Sequence, residues 1–360
     1  MSRKEKNMQK FKSFLKQQNI ELSAKRYFID AMGAMAQGLF ASLLIGTILK
    51  TLGEQLHWEV LITVGQFAFD MCGPAIAVAI GYALHASPLV LFSLVAVGFA
   101  GSKLAGAAGG PLAVYVIAII ACECGKLVSK RTKVDILVTP AVTTLVGVLL
   151  AILIAPYIGQ AASRVGDLIK WATELQPFFM GILVSVLVGI ALTLPISSAA
   201  ICAALSLTGL AGGAAVAGCC AQMVGFAVMS FRENRWGGLV SQGIGTSMLQ
   251  MPNIIKNPRI WIPPILASAI TGPLATCVFH LVNNGPAVAS GMGTCGLVGQ
   301  IGVYTGWVSD VAAGTKEAVT GMDWLGLVLI CFVLPAVLSL IFCELERKLG
   351  WIKKDDLKLN

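Results

Sequence analysis

Seven polar side chains stand inside or at the ends of apolar runs: Asp70, Glu123, His280, Asn283, Asn284, Thr294 and Gln300. Placing such groups in hydrocarbon is costly, so each must face a solute or a buried partner. For Asp70 and Glu123 the partner alternative is Lys103 or a backbone group, and for His280 it is the close of a helix. The Asn283-Asn284 pair is the sharpest candidate, because side-chain amides supply both donors and acceptors to a neutral polyol. It is followed by Ser290-Gly-Met-Gly-Thr-Cys-Gly-Leu-Val-Gly-Gln300. Gly291, Gly293 and Gly296 match the dinucleotide-binding spacing, but that fingerprint needs a preceding strand and a βαβ unit. Close backbone packing, or backbone amides offered to a solute at Gly293, suits a glycine run between apolar helices better. Walker A, HExxH and GxSxG patterns are absent, His57, His85 and His280 are scattered, and Cys122-Glu-Cys124 has the wrong spacing for zinc. The expectation is therefore a solute-binding chain with no catalytic residue, cofactor or metal.

The elements that must position these residues are membrane helices. Hydrophobic residues make up 56% of the 360 and charged residues 12%, about half the charged share of ordinary globular chains. An apolar helix is expected over 263–282. It must break at Asn283-Asn284-Gly285-Pro286, since proline lacks the amide donor and clashes with the preceding turn. Residues 286–304 then read as a re-entrant element, because irregular backbone survives in lipid only where protein or a cavity lines it. A second bend is expected at 105–111, where Ala105-Gly-Ala-Ala-Gly-Gly-Pro111 is too small and flexible for a lipid-facing helix. Further spans read over 27–52, 60–84, 88–98, 111–125, 135–156, 177–194 and 324–343, with an interfacial helix over 160–175. Residues 196–231 read either as two spans bent at 209–218 or as one long helix plus a re-entrant turn. The fold class is all-α integral membrane, with about ten transmembrane helices and one or two re-entrant segments.

Charge orients the chain. Residues 1–26 carry eight Lys/Arg and two acids of a chain with net charge +8. They form a basic tail that is either an interfacial helix on anionic lipid or disordered. Its charge speaks for membrane lipids rather than nucleic acid. The basic loop 126–133 and the pair Arg232 and Arg235 fall on the same side if both termini are cytoplasmic. Three regions result: the tail 1–26, the membrane domain 27–343 and a cytoplasmic tail 344–360. The ten cysteines lie mostly in apolar runs and read as small core residues.

Five strings carry a resemblance: Gly109-Gly-Pro-Leu-Ala-Val-Tyr115, Gly125-Lys-Leu-Val-Ser-Lys-Arg-Thr-Lys-Val-Asp135, Gly245-Thr-Ser-Met-Leu-Gln-Met-Pro-Asn253, Asn257-Pro-Arg-Ile-Trp-Ile-Pro-Pro264 and Gly291-Met-Gly-Thr-Cys-Gly-Leu-Val-Gly-Gln300. They resemble the PfoR-type branch of phosphotransferase-system (PTS) IIC membrane proteins. The resemblance implies a sugar-permease fold in a bacterial plasma membrane, a homodimer, and a small polar solute such as a sugar or polyol. It also implies that phosphoryl transfer would require separate IIA and IIB proteins, because no fused domain is expected. A second function follows from the same branch: a membrane sensor or regulator that keeps the permease fold. The glucose-type Gly-Ile-x-Glu-Pro string is absent.

Overall fold

The computed structural model describes residues 13–359. The interfacial helix expected in the basic tail falls partly on residues 1–12, outside the described residues. Among the described residues the elements are helical, and the strand-like pairing is one isolated antiparallel bridge, Gly209 with Asn283. In chain order the helices are α1 (Arg26–Leu56), α2 (Glu59–Asp70), α3 (Cys72–Ala83), α4 (Pro88–Val128), α5 (Asp135–Thr173), α6 (Pro177–Thr193) and α7 (Ser198–Ala204). Then come α8 (Gly209–Met229), α9 (Phe231–Val240), α10 (Met251–Lys256), α11 (Pro258–Val278), α12 (Ala287–Ser290), α13 (Val298–Ala312) and α14 (Gly321–Lys348).

Among the described residues, six helices are long and apolar enough to cross a membrane: α1, α4, α5, α8, α11 and α14. The pair α2 and α3, bent by 50°, makes a seventh if it is one span. This count is lower than the ten expected, for identifiable reasons. The expected bend at 105–111 is a kink at Gly106, whose φ of +72° breaks a 41-residue helix, leaving two arms each of about the length a bilayer requires. Helix α6, the expected span over 177–194, is only 17 residues long and is not counted; the interfacial helix expected at 160–175, not one of the ten, is the continuation of α5, which runs on through Pro156. Residues 198–204 form only a short helix before α8 begins.

The chain divides into two compact units. The first comprises the described residues up to Leu43 together with Phe67–Gly159. Here α3 lies on α4 with glycine against glycine: a Cβ on Gly98 would strike the Gly73 carbonyl, and one on Gly73 the Gly98 carbonyl. Small residues permit this backbone approach where hydrophobic burial gives helices no reason to associate. The C-terminal end of α3 is capped by cations. Arg26 Nη2 donates to Leu84 O at 2.6 Å and Lys126 Nζ to the same carbonyl at 3.0 Å.

The second unit comprises Leu44–Gln66 and the chain from Gln160 onward. Its axis is α8, apolar on every side and buried along nearly its whole length, as a helix without a polar face must be. The glycines expected to bend it at 209–218 admit neighbouring backbones instead. A Cβ on Gly218 would strike Ser185 O of α6, and one on Gly213 would strike Leu281 O. Helices α6 and α11 meet in the same way at Gly181 and Gly272. Val216, Ala217 and Cys220 of α8 join Val303 and Trp307 of α13 and Ile330 of α14 in one core cluster.

Candidate functional site

Two broken segments of the second unit face each other. One leaves α6 at Leu194-Pro195 and returns through α7 to Gly209; the other leaves α11, passes Asn283-Pro286 and α12, and enters α13. Pro195 enforces the first break, whereas the second begins at Val278 and turns at His280, whose φ is +44°. Their bases are joined by the bridge, with Gly209 N donating to Asn283 O at 2.9 Å and Asn283 N to Gly209 O at 3.0 Å. Their tips exchange serines. Ser198 Oγ donates to Gly291 O at 2.7 Å, and Ser290 Oγ donates to Leu207 O at 2.7 Å. Asn283 Nδ2 donates to Ser290 Oγ at 2.7 Å, and Asn283 Oδ1 accepts from Gly285 N at 3.2 Å. Residues 283–285 lie against α13, where a Cβ on Gly306 would stand 2.7 Å from Gly285 N.

The glycine run follows as a buried turn. Gly293 has φ +54° and its α-carbon faces the backbone of Cys219. Gly299 N donates to Gly293 O at 3.0 Å, closing the turn onto the start of α13. Thr294, 1% exposed, donates to Gly243 O and lies 3.6 Å from Met223 Sδ. Gln300 Nε2 donates to Cys220 Sγ at 3.2 Å, while Gln300 Oε1 is buried without a hydrogen-bond partner. Buried polar atoms are almost always paired, so the orphaned acceptor stands out among the groups at this turn.

The eight residues singled out in the sequence separate accordingly. Asp70 and Glu123 belong to the first unit and the other six to the second. Asp70 is exposed at the end of α2. Glu123 pairs with Lys126, whose Nζ lies 3.0 and 2.9 Å from its two oxygens. Lys103, the expected alternative partner, lies over the Phe99 ring. His280 is exposed, with a left-handed φ of +44°, in the link beyond α11. Asn284 is exposed and donates to Asp310 Oδ2 at 2.8 Å. Asn283 is buried, with its polar atoms engaged inside the protein. The structure thus gathers Asn283, Gly293, Thr294 and Gln300 at the paired breaks.

Sequence reasoning missed a second polar group centred on Gln222 of α8, within one turn of Cys219, Cys220 and Met223. Gln222 Oε1 accepts from Trp261 Nε1 at 2.8 Å and from Thr193 Oγ1 at 3.3 Å. Its Nε2 donates to Ser268 Oγ at 3.4 Å, and Thr193 Oγ1 lies 2.8 Å from Ser247 Oγ. Thr193, Gln222, Ser247 and Ser268 are fully buried. The available signal was a lone glutamine within the apolar run 209–229. These groups are amides and hydroxyls, suited to binding neutral hydroxylated molecules. Among the described residues no cluster of three His, Cys, Asp or Glu could hold a metal.

The family model for the phosphotransferase system EIIC membrane component matches residues 29–359, almost the whole chain. The chain belongs to the EIIC family. The paired breaks and polar clusters are therefore features of an EIIC membrane domain, and membership makes the chain a multi-pass membrane component of sugar transport. No curated protein and no solved structure matches it.

Proposed function

We propose that this EIIC chain binds and translocates a neutral sugar or polyol at the paired breaks of its second unit. The observation that carries the reading is Gln300 Oε1, a buried acceptor without a partner, next to a turn that favours glycine at 293. A solute hydroxyl donating to it would satisfy the acceptor, with Thr294 and the Gly291–Gly296 backbone supplying further contacts. Asn283 then shapes the site rather than touching the solute. Both termini are cytoplasmic in this reading, supported by the basic clusters at 1–26 and 126–133. Phosphorylation of the solute falls to separate IIA and IIB partners, and the assembled unit is a homodimer in the bacterial plasma membrane.

The test is direct binding of a panel of neutral sugars and polyols, with their phosphorylated and anionic counterparts, to the protein in nanodiscs. Gln300→Leu should weaken the bound solute by about 1–3 kcal/mol, the cost of an unmet buried hydrogen bond. Affinity within about twofold of the parent for every bound solute, a difference of under 1 kcal/mol, would remove the site from this position.

A further inference from the structure

The last residues of the chain look like a solvated, charged tail, yet residues 351–359 are docked into the second unit. Ile352 and Leu357 are buried, at 3% and 0% exposure. The Arg259 guanidinium lies 5.3 Å from the Trp351 ring centre. Four side-chain amides hold the main chain at its two ends, at Trp351 and over 357–359. Asn234 takes both sides of it, with Nδ2 donating to Leu357 O at 2.7 Å and Oδ1 accepting from Leu359 N at 2.8 Å. An amide that pairs with residues i and i+2 acts as a neighbouring strand does. Gln250 Nε2 donates to Leu357 O at 2.9 Å, Asn253 Nδ2 to Lys358 O at 2.8 Å and Asn257 Nδ2 to Trp351 O at 2.9 Å. Arg235, next to Asn234, holds φ +52° and ψ −149°, a conformation that an L residue keeps only where its surroundings enforce it.

The same amides continue inward. Gln250 Nε2 also donates to Gln242 Oε1 at 2.8 Å, and Gln242 Nε2 donates to Ser230 Oγ at 2.7 Å. Gln242 and Gln250 are fully buried. They belong to the stretch 241–250, in which Gly243 O receives Thr294 and Ser247 Oγ meets Thr193. One stretch therefore touches the docked tail on one side and both internal polar groups on the other. An open cleft of about 440 Å³ runs beside the tail between Lys256, Asn257 and Asp356, so the tail is held by its anchors and main chain rather than enclosed.

We propose that residues 351–359 act as a latch that positions 241–250, and through it Thr294, with Gln250 the positioning residue between tail and interior. The positional part stands on these contacts alone; its effect on the solute rests on the function proposed above.

The test compares the full chain with Leu357→Asp, which expels the buried anchor, and with the exposed control Lys354→Ala, all in nanodiscs. Hydrogen exchange of amides 241–250 and 293–300 is the first readout, and solute affinity the second. The synthetic peptide 351–360, added to full-length Leu357→Asp, shows whether docking itself matters. Leu357→Asp should accelerate exchange over 241–250 by about tenfold or more, as local opening replaces protection. Added peptide should restore protection to Leu357→Asp, and Lys354→Ala should match the parent. Exchange in 241–250 that stays at the parental rate in Leu357→Asp would overturn the latch. Accelerated exchange with unchanged solute affinity would overturn the coupling to the site. A solute that binds equally to the parent and to Gln300→Leu would instead refute the site, leaving the exchange result to stand by itself.

Discussion

Gly293 allows the sharpest test of the turn at the paired breaks. Two separate costs attend Gly293→Ala. The first is conformational: at φ +54° an L residue is disfavoured by about 1–2 kcal/mol. The second is steric, because the new Cβ would stand 2.7 Å from Cys219 Cβ and 2.8 Å from its carbonyl carbon. Neither neighbour can move without shifting α8, the buried axis of the unit, and overfilling a packed site costs about 1–3 kcal/mol. Gly314 separates the two, since it has φ +75° with nothing within 4 Å of a built Cβ. Gly314→Ala carries the first cost alone, so Gly293→Ala should be the less stable of the pair by about 1–3 kcal/mol. Equilibrium unfolding in mixed micelles, followed by tryptophan fluorescence, measures both; Trp307 is buried at 1% exposure and reports on the core. Stabilities agreeing within about 0.5 kcal/mol, the usual scatter of independent substitutions, would show that the turn does not press on α8.

Two further substitutions bear on the hydrogen bonds described above. Ser290→Ala should destabilise more than Ser198→Ala, about 2–4 against about 1–2 kcal/mol, because it strands both Leu207 O and Asn283 Nδ2; the same unfolding measurement, returning the opposite order, would contradict the contacts. In the first unit, Lys126→Met leaves Glu123 and the Asn19 carbonyl without their cation, while Leu84 O keeps Arg26. It should cost about 3 kcal/mol, and the additional change Glu123→Leu should recover part of that loss; a double variant no more stable than the single one would deny that the pair is buried as a unit.

The backbone breaks were partly legible in the sequence because they are local. The kink in the 105–111 segment falls at Gly106, whereas the helix expected to run to Val282 stops at Val278, short of Asn283, and His280 with φ +44° turns the chain away. The glycines at 212, 213 and 218 were not legible as contacts. Glycine permits a bend and a close approach equally, and only the neighbours Leu281 and Ser185 decide between them. The polar groups divide in the same way. A polar residue in an apolar run is visible, but its partner is remote: Gln222 is bonded to Thr193, Trp261 and Ser268. Asn283 drew attention through its amide, which is spent on Ser290 and Gly285, while Gln300 carries the free acceptor. The docking of the tail left almost no trace, because the amides that hold it bind mainly its main chain, and any sequence has one.

The paired breaks also constrain how this protein can move. Four hydrogen bonds tie the two segments together: the two of the Gly209–Asn283 bridge and the two donated by Ser198 and Ser290. Pulling the segments apart would give up about 2–6 kcal/mol at about 0.5–1.5 kcal/mol for each bond, whereas shifting them together gives up none. Hinges for any large displacement then fall outside them, at Leu194-Pro195 and in the link between α11 and Asn283. A sugar seated against the Gly293 turn would ride with both segments as passenger on a single carriage, rather than slip between two parting jaws.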